Sequence, residues 1–200
     1  RVSIMDYVED VEDVLRYFTS KHIHTPVLVG HSMGGLIVQL VADRNPDILA
    51  VVLLNSAPPR GIFPGSWATI SRYWKPQYLI ATSMKGPLHP QKGDMMSLVL
   101  NNTPWCVAES IFLSMVPESG RATQELAFWC VFGKETKIHC PVLVIGATKD
   151  RLTPVRIQKK IAKKYNAQYQ EFPGAHALPL EQGWQAPIEF ILKWAAGHHL

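Results

Sequence analysis

Pro26-Val27-Leu28-Val29-Gly30-His31-Ser32-Met33-Gly34-Gly35 is the stretch on which the reading of this chain turns. Its first half is short, apolar and rich in valine, the pattern of a strand buried on both faces. From Met33 to Asp43 the apolar residues Leu36, Ile37, Leu40 and Val41 recur at helical spacing, and Asn45-Pro46 ends the run. Between strand and helix stands Gly-His-Ser-Met-Gly, a G-x-S-x-G turn in the strand-turn-helix setting the motif requires. A serine on such a turn is held in a strained backbone conformation, with its hydroxyl projecting from the carboxyl end of the sheet. Gly30 and Gly34 are expected where a side chain would collide with neighbouring segments. The helix N-terminus beneath Ser32 supplies partial positive charge and free N–H groups that favour developing negative charge, and Met33 N–H is the expected oxyanion donor. A glycine-rich phosphate turn is the alternative, but no lysine follows and no G-x-G-x-x-G spacing exists.

Upstream, Ile4, Met5, Val8, Val11, Leu15 and Phe18 fall at three- and four-residue steps, which predicts a helix. Its acidic residues (Asp6, Glu9, Asp10, Glu12, Asp13) crowd the first half while Arg16 and Lys21 lie late, a polarity that suits the helix dipole. Downstream, Ala50–Leu54, Pro141–Ile145 and Ala167–Phe172 read as strands. Thr153-Pro154 reads as an N-cap and first residue of a helix to about Tyr165. A last helix from about Pro187 is expected to turn Ile188, Ile191, Leu192 and Ala195 inward. Strands separated by helices imply parallel crossover units, hence an α/β fold with helices on both faces of a parallel sheet.

That pattern breaks between Ala57 and about Lys137. The stretch holds Trp67, Trp74, Trp105 and Trp129 beside Met84, Met95, Met96, Phe112 and Met115, with prolines and glycines interrupting it. A structureless loop of that length does not suit a compact domain. The expected organisation is therefore a core formed by residues 1–56 and 138–200, with 57–137 inserted as a mostly helical cap over one end of the sheet.

The 200 residues are 47% hydrophobic and 18% charged, which excludes disordered, coiled-coil and collagen-like classes. The apolar run Ile48–Leu54 is far short of the ~20 residues a membrane-spanning helix needs. The net charge of +4 comes largely from Lys159, Lys160, Lys163 and Lys164 on one predicted helix beside Arg156. Such a run reads as a solvated face; nucleic-acid binding would want a broader basic surface with stacking aromatics. Cys106, Cys130 and Cys140 form no CxxC or metal spacing, and their odd number points to free thiols in a reducing compartment, the cytoplasm.

A serine hydroxyl needs a base to take its proton. Among the histidines, His31 flanks the serine and is expected to point away from its hydroxyl. His22 and His24 precede the strand, His89 lies between prolines, His139 precedes a strand, and His198 and His199 are terminal. His176 differs: Pro173-Gly174-Ala175-His176 directly follows the last strand, at the same sheet edge as Ser32. The imidazole in turn needs an acid to fix its tautomer. Asp150 follows the strand ending at Ile145, whereas Asp43 and Asp47 flank a helix exit at the opposite end, Asp94 falls in the insertion and Asn55 is no carboxylate. The chain order Ser32, Asp150, His176 is the one expected of this kind of elbow.

Gly30-His31-Ser32-Met33-Gly34-Gly35, Lys149-Asp150-Arg151-Leu152-Thr153-Pro154 and Gly174-Ala175-His176 together resemble the α/β-hydrolase superfamily. The resemblance covers the whole chain apart from the insertion. Within it, Pro117–Ala122 is similar to the returning part of the cap in esterase- or lipase-like members. It implies Ser32 as nucleophile, His176 as base, Asp150 as acid, and neither metal nor organic cofactor. Members with an aspartate nucleophile are disfavoured because Ser32 holds that position. One departure stands out: the superfamily's core carries further strands ahead of the nucleophile's, and its second oxyanion donor comes from the loop after one of them. The expectation is that these 200 residues are the C-terminal part of a longer enzyme, with Pro26–Gly30 left as an association-prone edge. On that expectation the part alone is poorly stable and nearly inactive, since losing one oxyanion donor costs on the order of 10²–10³ in kcat.

The expected reaction is hydrolysis of a small apolar ester through an acyl-serine intermediate, the aromatic and Met-rich insertion favouring a greasy group. The same triad would also serve carbon–carbon bond hydrolysis or cofactor-free peroxide chemistry. A ligand-binding or inactive fragment is the non-enzymatic alternative.

Overall fold

The computed structural model describes residues 2–23, 26–63 and 87–198, the side chains of residues 130 and 131 excepted. His24, Trp67, Trp74, Met84 and His199 lie outside the described residues. The first helix, α1 (Ile4–Ser20), starts on a capping box: Ser3 Oγ accepts the Asp6 N–H at 3.1 Å, and the Asp6 carboxylate accepts the Ser3 N–H at 2.6 Å. Then come β1 (Val27–His31), α2 (Met33–Arg44) and β2 (Ala50–Leu54). In the long connection that follows, β3 (Pro87–Leu88) precedes a helical turn, Lys92–Asp94, that runs into a π-helical turn, Met95–Val99. Next stand α3 (Trp105–Ser114), β4 (Glu118–Ser119), paired antiparallel with β3, and α4 (Gly120–Phe132). The core resumes with β5 (Val142–Ala147), α5 (Val155–Tyr165), β6 (Gln168–Phe172), a 3-10 turn at Leu178–Leu180 and α6 (Gln185–Gly197).

The central sheet runs β1-β2-β5-β6, every pair parallel. Alternation along the strands then decides which helix each side chain meets. Val51 and Leu53 of β2, with Val142 and Val144 of β5, face Val38 and Ala42 of α2 and Ile157 and Ile161 of α5. Val52, Leu54, Leu143 and Ile145 face the other way, against Ile191 and Trp194 of α6. Leu53 and Ile145 are fully buried, and truncating either to alanine costs about 2–5 kcal/mol. Outside α2, Ile4 and Val8 of α1 form a second layer that reaches Ala122 and Trp129 of α4. Polar ties reinforce that contact: Glu125 Oε2 accepts the Ile4 N–H at 2.8 Å and Tyr7 donates to Glu118 Oε1 at 2.6 Å.

Three sequence expectations are corrected. β1, whose apolar run reads as a strand buried on both faces, is buried at Gly30 alone. In α6 the buried stripe is Pro187, Ile191 and Trp194, while Leu192 is 63% exposed and Ile188, also expected inward, is exposed as well. Residues i, i+4 and i+7 share a helix face, while Leu192 sits roughly 100° round from Ile191, and the indole of Trp194 is the side chain that fills the space under the sheet. At the start of α5, Pro154 is the N-cap and makes no side-chain bond. The Thr153 hydroxyl is engaged elsewhere, by Asp150 and Asn55. The basic face of α5 is partly paired, Lys159 with Glu171 at 2.7 Å and Lys164 with Glu135. Among the described residues no helix is long and apolar enough to cross a membrane, and among the described strands β1 bonds β2 alone, with Val29 52% exposed.

Candidate active site

Ser32 sits between β1 and α2 at φ 53°, ψ −122°, a conformation that costs a non-glycine residue about 1–3 kcal/mol. The surroundings hold it there. Its N–H donates to Leu54 O at 3.1 Å, and its carbonyl accepts the Ala57 N–H at 2.8 Å, so the elbow is fastened to the carboxyl end of β2. A Cβ at Gly30 would overlap the Gly34 carbonyl and the Val38 side chain, as the sequence led us to expect. Gly34 departs from expectation, for a Cβ there meets no described atom within 4 Å. The crowded partner is Gly35, where a Cβ would land on Ser56 because α2 crosses the end of β2 at that point. The opening turn of α2 has no side-chain cap, and Met33 is its first residue.

His176 and Asp150 come to the same edge from the loops after β6 and β5. His176 Nε2 lies 2.8 Å from Ser32 Oγ, and His176 Nδ1 lies 2.9 Å from Asp150 Oδ2. Both are withdrawn from solvent, at 2% and 5% exposure. Asp150 Oδ1 accepts the N–H groups of Leu152 (2.7 Å) and Thr153 (2.9 Å), and Thr153 Oγ1 lies 2.8 Å from Oδ2. Burial works to raise the Asp150 carboxyl, but the hydrogen bond and charge of His176 and the donors of Thr153 outweigh it and hold it below its usual value. An ionised Asp150 accepts the hydrogen bond of Nδ1–H and keeps the ring proton there, which leaves Nε2 as the acceptor for the Ser32 hydroxyl.

Among the described residues the other titratable candidates do not join this group. His22, His89 and His139 are exposed, Asp43 accepts the Lys137 N–H at 2.8 Å, and Asp94 is buried within the long connection. His31 is tilted against the His176 ring at 5.0 Å, with Nε2 2.6 Å from the His176 carbonyl oxygen. Burial and the neighbouring His176 push its pKa down to about 4, so the ring is neutral and donates to that carbonyl.

Sequence reasoning passed over several buried polar residues that hold the site. Asn55, at φ 42°, donates through Nδ2 to Ala175 O (3.0 Å) and His176 O (3.1 Å) and accepts the Ala147 N–H at 2.8 Å. One amide thus joins the ends of β2 and β5 to the histidine loop. Gln158 of α5 brackets Ser56, donating to its carbonyl at 2.9 Å and accepting its N–H at 3.1 Å. Gln39 of α2 donates to Ser56 Oγ at 2.9 Å. A glutamine on the apolar face of an otherwise amphipathic helix was the available signal for the last two, since a buried amide is kept only where partners await it.

A serine elbow met at the edge of a parallel sheet by groups from two later strands is the layout of the α/β hydrolases. The alpha/beta hydrolase family profile matches residues 3–190, and the chain belongs to that family. Among solved structures, an esterase from Thermogutta terrifontis superimposes with a TM-score of 0.71 at 18% identity, covering 100% of this chain and 74% of that one. An extracellular alpha/beta-hydrolase from a Paenibacillus species gives 0.70 at 16% identity, over 96% of this chain and 79% of its own. A monoacylglycerol lipase from Paleococcus ferrophilus gives 0.68 at 19% identity, over 98% and 76%. At these identities the likeness is one of fold. Among the curated proteins none matches the sequence.

Proposed function

We propose that this protein is a serine hydrolase that cleaves carboxylic esters of small apolar substrates. The reading rests on one observation, the continuous hydrogen-bond chain from Ser32 Oγ through the His176 ring to Asp150, at 2.8 and 2.9 Å. In this reaction His176 Nε2 takes the Ser32 proton as Oγ attacks the ester carbonyl. The resulting oxyanion is met by Met33 N–H at the positive end of α2. The imidazolium, stabilised by Asp150, then protonates the leaving alcohol, and an acyl-Ser32 ester remains. Water deprotonated by the same imidazole attacks that ester, the acid departs, and Ser32 recovers its proton. No step calls for a metal or an organic cofactor.

Residues 57–137 act in this reading as a cap over the sheet edge. Their aromatic and methionine content supports an apolar acyl or alcohol group, and the esterase and lipase among the structural neighbours support the ester class. A fluorophosphonate probe tests the proposal. The folded protein should become labelled on Ser32 near pH 8, and Ser32→Ala and His176→Ala should abolish the label. A full-length protein that folds, takes up no probe and does not hydrolyse a p-nitrophenyl ester is no serine hydrolase.

A further inference from the structure

Residues 99–102 of the long connection between β2 and β5 are tied to both loops of the site, and beside them Arg151 Nη1 donates to Ser97 O at 3.2 Å. Asn102 Oδ1 accepts from Lys149 Nζ at 2.7 Å, and Asn102 Nδ2 donates to Glu181 Oε2 at 2.7 Å. The orientation of this amide is fixed by its partners, because an ammonium only donates and a carboxylate only accepts. Lys149 stands immediately before Asp150. Glu181, 2% exposed, receives the Ala175 N–H at 2.9 and 3.1 Å, and Ala175 stands immediately before His176. Two main-chain links and one from a side chain close the arrangement: Lys149 N–H to Gly174 O at 2.7 Å, Ala177 N–H to Val99 O at 3.2 Å, and Asn101 Nδ2 to Lys149 O at 3.1 Å. A carboxylate withdrawn from water persists only where donors meet it. The donors that meet Glu181 are the backbone beside His176 and the amide of the connection. At Gly174, φ +151°, a side chain would press on Leu178 and Glu181, so the loop is shaped to bring its backbone onto this carboxylate.

Building on the hydrolase reading above, we propose that Asn102 and Glu181 are positioning residues that make the docking of segment 99–102 and the alignment of His176 on Ser32 a single event. Lys149, Asn102, Glu181 and Ala175 form one hydrogen-bonded chain whose two ends adjoin Asp150 and His176, closed into a ring by Lys149 N–H on Gly174 O. Release of Asn102 frees the Glu181 carboxylate to turn toward other donors, and the Ala175–His176 backbone loses its fixed anchor. Substrate binding is not what the ring holds, so its loss falls on kcat.

The polarity of the ring supplies the test. Asn102→Asp sets a carboxylate against Glu181, and Glu181→Gln sets an amide N–H against Asn102. Each single substitution should lower kcat for a soluble p-nitrophenyl ester by about 10- to 100-fold with KM little changed. The double variant restores the ring with the bond between residues 102 and 181 reversed: the new carboxylate accepts from Lys149 and from the introduced amide, whose oxygen accepts the Ala175 N–H. Its kcat should return to within a few-fold of the parent. An activity-independent readout runs alongside. The low-field Nδ1–H proton of His176 should broaden in each single variant and sharpen again in the double. Singles that leave both kcat and this signal unchanged, singles that raise KM alone, or a double variant as impaired as the product of the singles would each overturn the proposal. Should the parent protein take up no fluorophosphonate, the hydrolase reading fails, and the proton signal alone then decides whether the ring aligns His176.

Discussion

His31 Nε2 stands 2.6 Å from the main-chain oxygen of His176, the same carbonyl that Asn55 Nδ2 reaches at 3.1 Å. The residue before the candidate nucleophile therefore holds the backbone of the candidate base. Both donors must be present as N–H groups, and for His31 the neutral ring already supplies one. Its second nitrogen is left unprotonated by burial, which drives the pKa down to about 4.

This depressed value makes folding stability fall on acidification. In the unfolded chain His31 takes up its proton around its usual 6.5, whereas in the folded protein it does so only around 4. Between those values the unfolded state holds more protons, so stability drops as pH falls across the window, by about 3 kcal/mol over its whole width. Asp150 acts elsewhere: its folded value is depressed from 3.8, so its contribution persists above 3.8 and is lost only below it. His31→Gln keeps a donor for the His176 carbonyl and removes the titration. Its urea midpoint should shift less between pH 7 and pH 4.5 than that of the parent protein; equal shifts would assign the acid sensitivity to other groups.

Asn55→Asp should be severe although it changes a single atom. The retained oxygen still accepts the Ala147 N–H, but the other now faces the carbonyl oxygens of Ala175 and His176. An uncompensated buried charge of this kind costs about 3 kcal/mol or more. The expected result is a lowered urea midpoint at pH 7 that recovers partly toward pH 5, as the new carboxyl protonates and donates again. A variant as stable as the parent at pH 7 would show that the amide is not needed as a donor.

What the sequence disclosed and what it withheld follow from where each signal lies. The strand Ala50–Leu54 was legible to the residue, because burial on both faces leaves an unbroken apolar run that stops at a polar Asn. Ser32, Asp150 and His176 each come shortly after a parallel strand, so chain geometry alone carries them to one edge of the sheet. Asn55 and Glu181 carry no periodic signal. Asn55 meets its partners some 120 residues away, and Glu181 matters through a loop that folds back upon it. Thr153 was misread for a related reason: Thr-Pro before a helix fits a cap, and only the fold shows that its hydroxyl is 2.8 Å from the Asp150 carboxylate. In α6 both helix faces carry large apolar residues, so periodicity could not choose between Leu192 and Trp194.

Gly34 and Gly35 should respond oppositely to alanine. At Gly35 the new methyl meets Ser56, backbone included, and overpacking of that kind costs about 1–3 kcal/mol. At Gly34 it meets no described atom within 4 Å, and replacing a helical glycine stabilises by about 0.5 kcal/mol. Thermal melts of the two variants should bracket the parent. A Gly34→Ala variant that melts as low as Gly35→Ala would mean that the crowding is misassigned.

Asp150→Asn separates tautomer control from loop architecture. The asparagine oxygen can remain on the Oδ1 side, where it accepts the Leu152 and Thr153 N–H groups, so the turn should hold. On the Oδ2 side an NH₂ now faces His176 Nδ1, which must become the acceptor, and the ring proton moves to Nε2. With its hydrogen pointed at Ser32 Oγ, the imidazole can no longer take the serine proton. The expected outcome is a fall in kcat on the order of 10⁴ with KM and melting temperature near those of the parent. Retention of activity within tenfold would show that Asp150 does not set the tautomer of His176. A collapse of the melting temperature would instead place its main role in building the β5–α5 turn.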